Sequence, residues 1–225
     1  MMDFLRAHGW EIARLTFEHL WLTVFAMLIA AGIGLPLGVL LTRRRRLAGP
    51  VIGFANVVQT IPSLALFGLL LPVPWLGENA ARLAILALTG YALLPILRNT
   101  YAGIGGVDPA LVDVANAMGM SSMQRLFKVE LPLSASVILA GLRTATVTCV
   151  GVATIAAAIG AGGLGELIID GLDRFYTPEV VVGGVLSIAL ALVADGALLV
   201  AGRAVTPWAR SRRQGTAGRA VRAAT

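Results

Sequence analysis

Long apolar runs, separated by short polar or charged segments, dominate the hydrophobic pattern of this 225-residue chain. A helix needs about 20 apolar residues to cross the ~30 Å hydrocarbon core of a bilayer. Five runs reach that length, and each predicts a membrane-spanning helix. Pro36, Pro62 and Pro95 lie inside the first three runs and predict bends there. The runs cover approximately residues 21–42, 51–71, 80–100, 133–159 and 180–201.

The two ends of the chain have a different pattern. Residues 1–19 mix charged and apolar side chains, which is typical of an amphipathic helix at a membrane surface and not of a cleavable signal peptide. Residues 206–225 are rich in Arg, Ala, Gly and Thr and have no apolar period. We expect this basic tail to be disordered and to contact anionic lipid. Residues 20–205 between them form the predicted transmembrane domain.

The composition supports a membrane protein. Of all residues, 57% are hydrophobic and 13% are charged, against roughly 45–50% and 25% in soluble domains.

The basic residues predict the orientation of the chain. Lys and Arg follow the apolar runs, as expected on the cytoplasmic side, and no aromatic residues alternate with them as in a nucleic-acid groove. The pattern predicts an outer N-terminus and a cytoplasmic C-terminus. The predicted cytoplasmic residues are Arg43, Arg44, Arg45, Arg46, Arg98, Arg125, Lys128, Arg203, Arg210, Arg212, Arg213, Arg219 and Arg222.

Residues that commonly perform catalysis or bind metal form no cluster in the sequence. The single cysteine, Cys149, lies in an apolar run, and His8 and His19 have no ligand partners at metal-binding spacing. We therefore predict no catalytic residue and no metal site, and expect both histidines to be interfacial. Residues 160–165 satisfy GxGxxG, but no strand and βαβ unit accompany them, so we predict a flexible turn.

The loop of residues 108–130 has the strongest local signals. Asp108 is a favourable N-cap, and Pro109 is suited to the first helical position. Gly119 is expected to end this helix, after which Ser121 or Ser122 caps a second short one. Pro132, just beyond the loop, is predicted to open the fourth span within its first turn.

This loop is too apolar for a solvated linker. A surface so rich in adaptable methionine predicts a protein partner, although a helix pair packed at the membrane interface against its own bundle is an alternative. The apolar residues are Leu111, Val114, Met118, Met120, Met123, Leu126 and Phe127.

Polar residues inside the spans are candidates for a translocation pathway. Asn56, Gln59, Thr60 and Ser63 share one predicted helical face of the second span, where they line the pathway or join helices. Arg143 and Asp195 are isolated charges in the fourth and fifth spans. They either pair, line an aqueous cavity, or reach separately toward polar surroundings.

The loop also resembles a known motif. Transmembrane subunits of bacterial ABC importers carry E-A-A-x3-G-x9-I-x-L-P, which docks into their ATPase subunit. This chain has the same spacing, with Asp, Val and Val replacing the first Glu, first Ala and Ile. The matching positions are Asp113, Val114, Ala115, Gly119, Val129, Leu131 and Pro132.

Further segments resemble the permeases of osmoprotectant importers, over about residues 18–200. They are Gln59–Leu66, Tyr91–Tyr101 and Ile159–Gly165. Such systems carry glycine betaine, carnitine, choline or proline betaine. The resemblance implies an all-α polytopic bundle, a type I importer permease with five transmembrane helices, in the bacterial cytoplasmic (inner) membrane.

The resemblance also implies the partners. We expect ABC ATPase subunits that bind ATP and Mg, since this chain has no Walker A sequence and binds no cofactor itself. A second permease, identical or paralogous, and an extracytoplasmic substrate-binding protein complete the expected importer. A permease for methionine or another amino acid is the alternative substrate class. Outside the ABC class, a secondary transporter or channel and a membrane-embedded enzyme are alternatives.

Overall fold

A computed structural model describes residues 2–205 of the chain, all of them in helices, turns or irregular connections. The predictions for the basic tail, 206–225, lie outside the described residues. The helices are α1 (Met2–Ala7), α2 (Gly9–Arg43), α3 (Arg45–Thr60), α4 (Ser63–Leu70), α5 (Ala80–Gly105), α6 (Pro109–Ala117), α7 (Ser122–Arg125), α8 (Leu131–Ala156), α9 (Gly165–Asp173) and α10 (Thr177–Val205), with a π turn at Leu126–Glu130 and a 3₁₀ turn at Ala157–Ile159.

The predicted membrane bundle is confirmed, but the second predicted span is broken into two helices. Within residues 2–205, four helical segments are long and apolar enough to cross a membrane, and α3 with α4 makes a fifth if the bent pair counts as one span. That pair is bent by 99°, which is far more than a proline kink. Ile61 adopts an extended conformation because the residue before a proline disfavours the helical region, so α3 ends at Thr60.

The N-terminal segment consists of α1 and the first turns of α2. Residues 9–19 are the first turns of α2, which continues without a break into the first span. One part of this segment packs on the protein, where Leu15 joins a cluster with Leu164, Leu167 and Val182, whereas Trp10 and Phe17 are exposed. His19 is fully buried, so the prediction that it is interfacial is wrong.

Helix α5 lies at the centre of the bundle, between α2 and α8. Small residues permit these helices to approach closely, as is common where lipid supplies no hydrophobic drive for association. A Cβ added to Gly38 of α2 would lie 2.6 Å from the Cβ of Thr100, and one added to Gly141 of α8 would lie 2.7 Å from the Pro95 carbonyl oxygen. Helix α10 packs on α8 and α9 at the edge and exposes most of its surface.

Candidate functional site

Helix α6 begins and ends through local signals that the sequence contains. The Asp108 carboxylate accepts a hydrogen bond of 2.9 Å from the Ala110 N–H, next to Pro109 at the first position. At the other end Gly119 has φ +78°, a conformation that costs glycine little. The N–H of Met120 donates to the Ala115 carbonyl at 3.1 Å. This C-terminal hydrogen bonding is a Schellman motif, which fixes the turn after α6.

The second half of the loop differs from the predicted separate helix. Ser121 and Gln124 form a capping box, with reciprocal hydrogen bonds between each side chain and the other's N–H. From there α7, the π turn and α8 form one continuous helical segment. The Leu131 N–H bonds the Leu126 carbonyl, five residues back, directly before Pro132. Pro132 lies in the first turn of α8, as predicted, although the π turn leads into that helix without a break.

The loop exposes a contiguous apolar face, which we call the docking face. It surrounds a groove of about 400 Å³. Met118, at the end of α6, is 71% exposed, and Val114 is 57% exposed. The residues lining the groove are Leu111, Val114, Ala115, Met118, Met120, Lys128, Val129, Pro132 and Leu133.

The motif residues divide between this groove and its supports. Four of them, Val114, Ala115, Val129 and Pro132, line the groove although they come from both halves of the loop. Asp113 is exposed on α6. Gly119 makes the turn, and Leu131 packs on the opposite side, toward α2.

Glu130 is a buried carboxylate that the sequence interpretation missed. Its side chain is 3% exposed, and Arg43 at the end of α2 donates through both terminal nitrogens to its two oxygens, one at 3.1 Å. The Arg125 Nε donates to Glu130 Oε1 at 3.0 Å, and its Nη1 donates to Asn116 Oδ1 on α6 at 2.6 Å. The available signal was an acidic residue just before an apolar run, since a carboxylate there requires cationic partners.

The predicted polar stripe is not one face of one helix. The bend at Pro62 separates Ser63 from the others, and Thr60 is exposed and donates to a carbonyl of its own helix. Asn56 accepts a 3.0 Å hydrogen bond from Arg98, and Gln59 also bonds α5. Two of the four residues therefore join helices; a role in lining the pathway stays a prediction.

Two side-chain hydrogen bonds connect the broken span to α5, one donated by Gln59 and one by Tyr91. Pro95 has no N–H, so the Tyr91 carbonyl, four residues earlier, has no donor within its helix. The Gln59 Nε2 donates to this carbonyl at 2.7 Å. The Tyr91 hydroxyl in turn donates to the Ile61 carbonyl, in the extended residue between α3 and α4. The Gln59 side chain thus satisfies a carbonyl that Pro95 leaves free, and the Tyr91 side chain satisfies one in the break between α3 and α4.

Arg143 and Asp195 form a bidentate ion pair between α8 and α10. The Nε–Oδ1 distance is 2.7 Å and the Nη2–Oδ2 distance 2.6 Å. Both side chains are about one-third exposed. Of the three arrangements that the sequence left open, the structure has the pair, which ties the peripheral α10 to the bundle.

The glycine-rich segment forms a turn against α2, as expected. Gly160, Gly162 and Gly163 all have positive φ, and the Gly163 N–H donates to the Glu18 carboxylate at 3.3 Å. Burial, and then the nearby Glu18 carboxylate, raise the pKa of Glu166 at the start of α9. Among residues 2–205, no three His, Cys, Asp or Glu side chains form a group able to hold a metal ion.

Comparison with known proteins gives the family. Residues 34–206 match the family described as "Binding-protein-dependent transport system inner membrane component". The chain belongs to this family. It is accordingly a transport subunit of the inner membrane, and its fold is that of an ABC importer permease.

Several characterised permeases share much of its sequence. The chain is 44% identical to the glycine betaine/carnitine/choline transport system permease protein OpuCB of Bacillus subtilis (strain 168), over 92% of this chain and 94% of that one. It is 41% identical to the carnitine transport permease protein OpuCB of Listeria monocytogenes, over 96% and 98%. The osmoprotectant import permease protein OsmW of Salmonella typhimurium is 44% identical, over 82% and 86%.

A solved structure shares the fold of this permease. An inward-facing structure of the MetNI methionine ABC transporter superimposes with a TM-score of 0.79 and 27% identity, over 89% of this chain and 98% of that one. An amino acid ABC transporter solved with histidines has a TM-score of 0.70 at 20% identity, which reflects the fold alone. The type I importer architecture is therefore confirmed.

Proposed function

We propose that this permease imports a compatible solute, of the class of glycine betaine, carnitine, choline or proline betaine. Support comes from permeases named for these solutes, which are up to 44% identical across nearly the whole chain. The methionine alternative rests on a structure that is 27% identical. The substrate is expected to be selected chiefly by an extracytoplasmic binding protein, because the aromatic pairs of the described residues build no cage for a quaternary ammonium.

The docking face is proposed to bind an ABC ATPase subunit. This face is the observation on which the proposed mechanism rests. It is apolar, methionine-rich and exposed on a short helix that is fixed at both ends. Large exposed apolar patches mark sites of protein interaction. ATP and Mg are expected on that partner, and a second permease completes a twofold assembly.

Alternating access follows from this arrangement. In the proposed orientation the N-terminus is outside and the C-terminus inside, so the docking face is cytoplasmic. Closure of the ATPase subunits displaces α6, the spans rotate, and the pathway opens outward to the binding protein. ATP hydrolysis then restores the inward-facing state. Such coupling requires that ATP binding favour one of the two conformations over the other.

Co-expression with the importer subunits encoded next to this chain in the genome tests the proposal. We expect the tagged permease to recover an ATPase subunit, and intact cells to accumulate labelled glycine betaine or choline in an ATP-dependent manner. Met118→Asp places a charge in the apolar groove and should abolish recovery of the ATPase. Ser122→Asp adds the same charge outside the groove and should leave recovery intact.

The outcomes test the importer mechanism and the substrate class separately. Failure of the wild-type chain to recover any ATPase would contradict the importer mechanism. Uptake of methionine, with no competition by compatible solutes, would leave the mechanism intact and contradict the substrate class.

A further inference from the structure

A polar network around one buried carboxylate connects the loop of residues 108–130 to the end of the first span. It consists of Glu130, Arg43, Arg125 and Asn116, and it is called the Glu130 network below. Its members lie on the π turn, the last turn of α2, α7 and α6. Both Glu130 oxygens accept from Arg43, and one also accepts from Arg125, which itself holds Asn116. Hydrogen bonds therefore link all four elements: Arg43 and Arg125 bond the Glu130 carboxylate directly, and Asn116 is linked to it through Arg125.

This network is the principal fixed link from α6 to the rest of the bundle. Helix α6 buries one residue, Ala115. In the described part of the chain, the Asn116–Arg125 hydrogen bond is the side-chain hydrogen bond that joins α6 to another helix. Helix α6 is otherwise connected through the chain at its two ends and through its apolar side, which lies beside the π turn across the groove.

The apolar surfaces nearby give a looser connection to α2. A groove of about 420 Å³ lies between α2 and the segment of α7 and the π turn. Leu35, Pro36 and Val39 line it from α2, opposite Met123 and Phe127. Bidentate arginine–carboxylate pairs, by contrast, fix both distance and orientation. The rigid contact across this boundary is thus the pair of Glu130 with Arg43.

We propose that Glu130 is a positioning residue that transmits displacement of α6 to α2. Without Glu130, α6 is connected to α2 only indirectly, through the π turn and α8. With Glu130 in place, Arg125 and Arg43 connect the loop directly to the end of α2 through one carboxylate. The inference rests on the proposed function, because it concerns how an ATPase docked on α6 would drive the spans.

The test uses the complete importer, with ATPase and binding protein, in proteoliposomes. Glu130→Gln keeps the size of the side chain and removes its charge, and Arg43→Gln breaks only the connection to α2. For both variants we expect assembly and ATP hydrolysis within about twofold of wild type. The amount of solute imported per ATP hydrolysed should fall on the order of tenfold, the usual range for loss of coupling between two sites.

A matched control is available in the same arginine run. Arg45 is exposed and forms no ion pair with a residue that the structure describes. Arg45→Gln should therefore leave the ratio of import to hydrolysis unchanged. Arg43→Lys, which keeps the charge, should recover part of the ratio that Arg43→Gln loses.

Two results would overturn the positioning role alone. One is an unchanged ratio in Glu130→Gln while the wild-type importer is active. The other is a proportional fall of assembly, hydrolysis and import, because a purely structural network would affect all three together. A wild-type assembly without ATP-driven import of any compatible solute would instead overturn the proposed function, and this inference with it.

Discussion

A single hydrogen bond to a carbonyl that Pro95 leaves free joins the broken span to the centre of the bundle. Gln59 donates to the Tyr91 carbonyl, which Pro95 deprives of its helical donor. Gln59→Ala should leave that buried acceptor unpaired, at a cost of about 1–3 kcal/mol. The apparent melting temperature in detergent should fall by about 2–4 °C for each kcal/mol.

A double-mutant cycle isolates this hydrogen bond. Pro95→Ala restores an N–H that bonds the Tyr91 carbonyl within α5, so Gln59→Ala should cost much less in that background. Thr60→Ala is the control, because Thr60 is exposed and bonds only its own helix. Equal losses from Gln59→Ala in both backgrounds would contradict the explanation.

The Arg143–Asp195 pair makes a second prediction at the scale of residues. Removing either partner leaves a charge within the spans without its counter-ion, whereas an exchange of the two residues restores a pair. Arg143→Asp and Asp195→Arg should each reduce membrane expression and uptake. The double exchange should exceed both single variants in uptake per amount of protein. A double variant no better than the singles would contradict a role for pairing.

At the scale of elements, the sequence predicted most helices because their signals are local. The apolar runs indicate four of the spans, and Asp108, Gly119 and Ser121 mark the loop helices through their own caps and turn. The ion pairs between elements depend instead on residues that are distant in the sequence. Glu130 and Arg43 are 87 residues apart, and no local pattern indicates that they pair. The sequence left three arrangements open for Arg143 and Asp195, because it does not show that α8 packs beside α10.

The contact between α9 and α2 should respond to pH. Burial and the Glu18 carboxylate raise the pKa of Glu166, which also faces Arg14, Asp170 and Glu11. A raised pKa means that the folded state binds the proton more tightly than the unfolded state. Stability from Glu166 is therefore present below the ordinary glutamate pKa and is lost as pH rises through the raised value.

Glu166→Gln should consequently flatten the pH dependence and raise the melting temperature near neutral pH. Thermal unfolding in detergent between pH 4 and pH 8 measures both effects. Asp173→Asn removes an exposed carboxylate at the end of the same helix and should change neither. A loss of stability in Glu166→Gln at neutral pH would show that the ion pair with Arg14, whose atoms are 3.9 Å apart, outweighs burial.

For the molecule as a whole, the remaining question is which side of the membrane each loop occupies. The proposed orientation puts α6 and α7 in the cytoplasm and α9 outside, because arginine and lysine concentrate on the former side. Coupling to ATP depends on this arrangement, since the nucleotide is cytoplasmic. The single cysteine makes a direct test possible: Cys149 is fully buried in the bundle and should not react with a maleimide that does not cross membranes.

In a Cys149→Ser background, single cysteines at exposed positions report the side. Asp173→Cys should react with the impermeant maleimide in spheroplasts, because α9 is expected to be outside. Ser122→Cys should react only after the membrane is permeabilised. Quantitative labelling of both variants in permeabilised membranes controls for accessibility, and Cys149→Ser alone controls for background. The reverse pattern would place α6 outside, out of reach of a cytoplasmic ATPase, and would contradict both the orientation and the docking role of the loop.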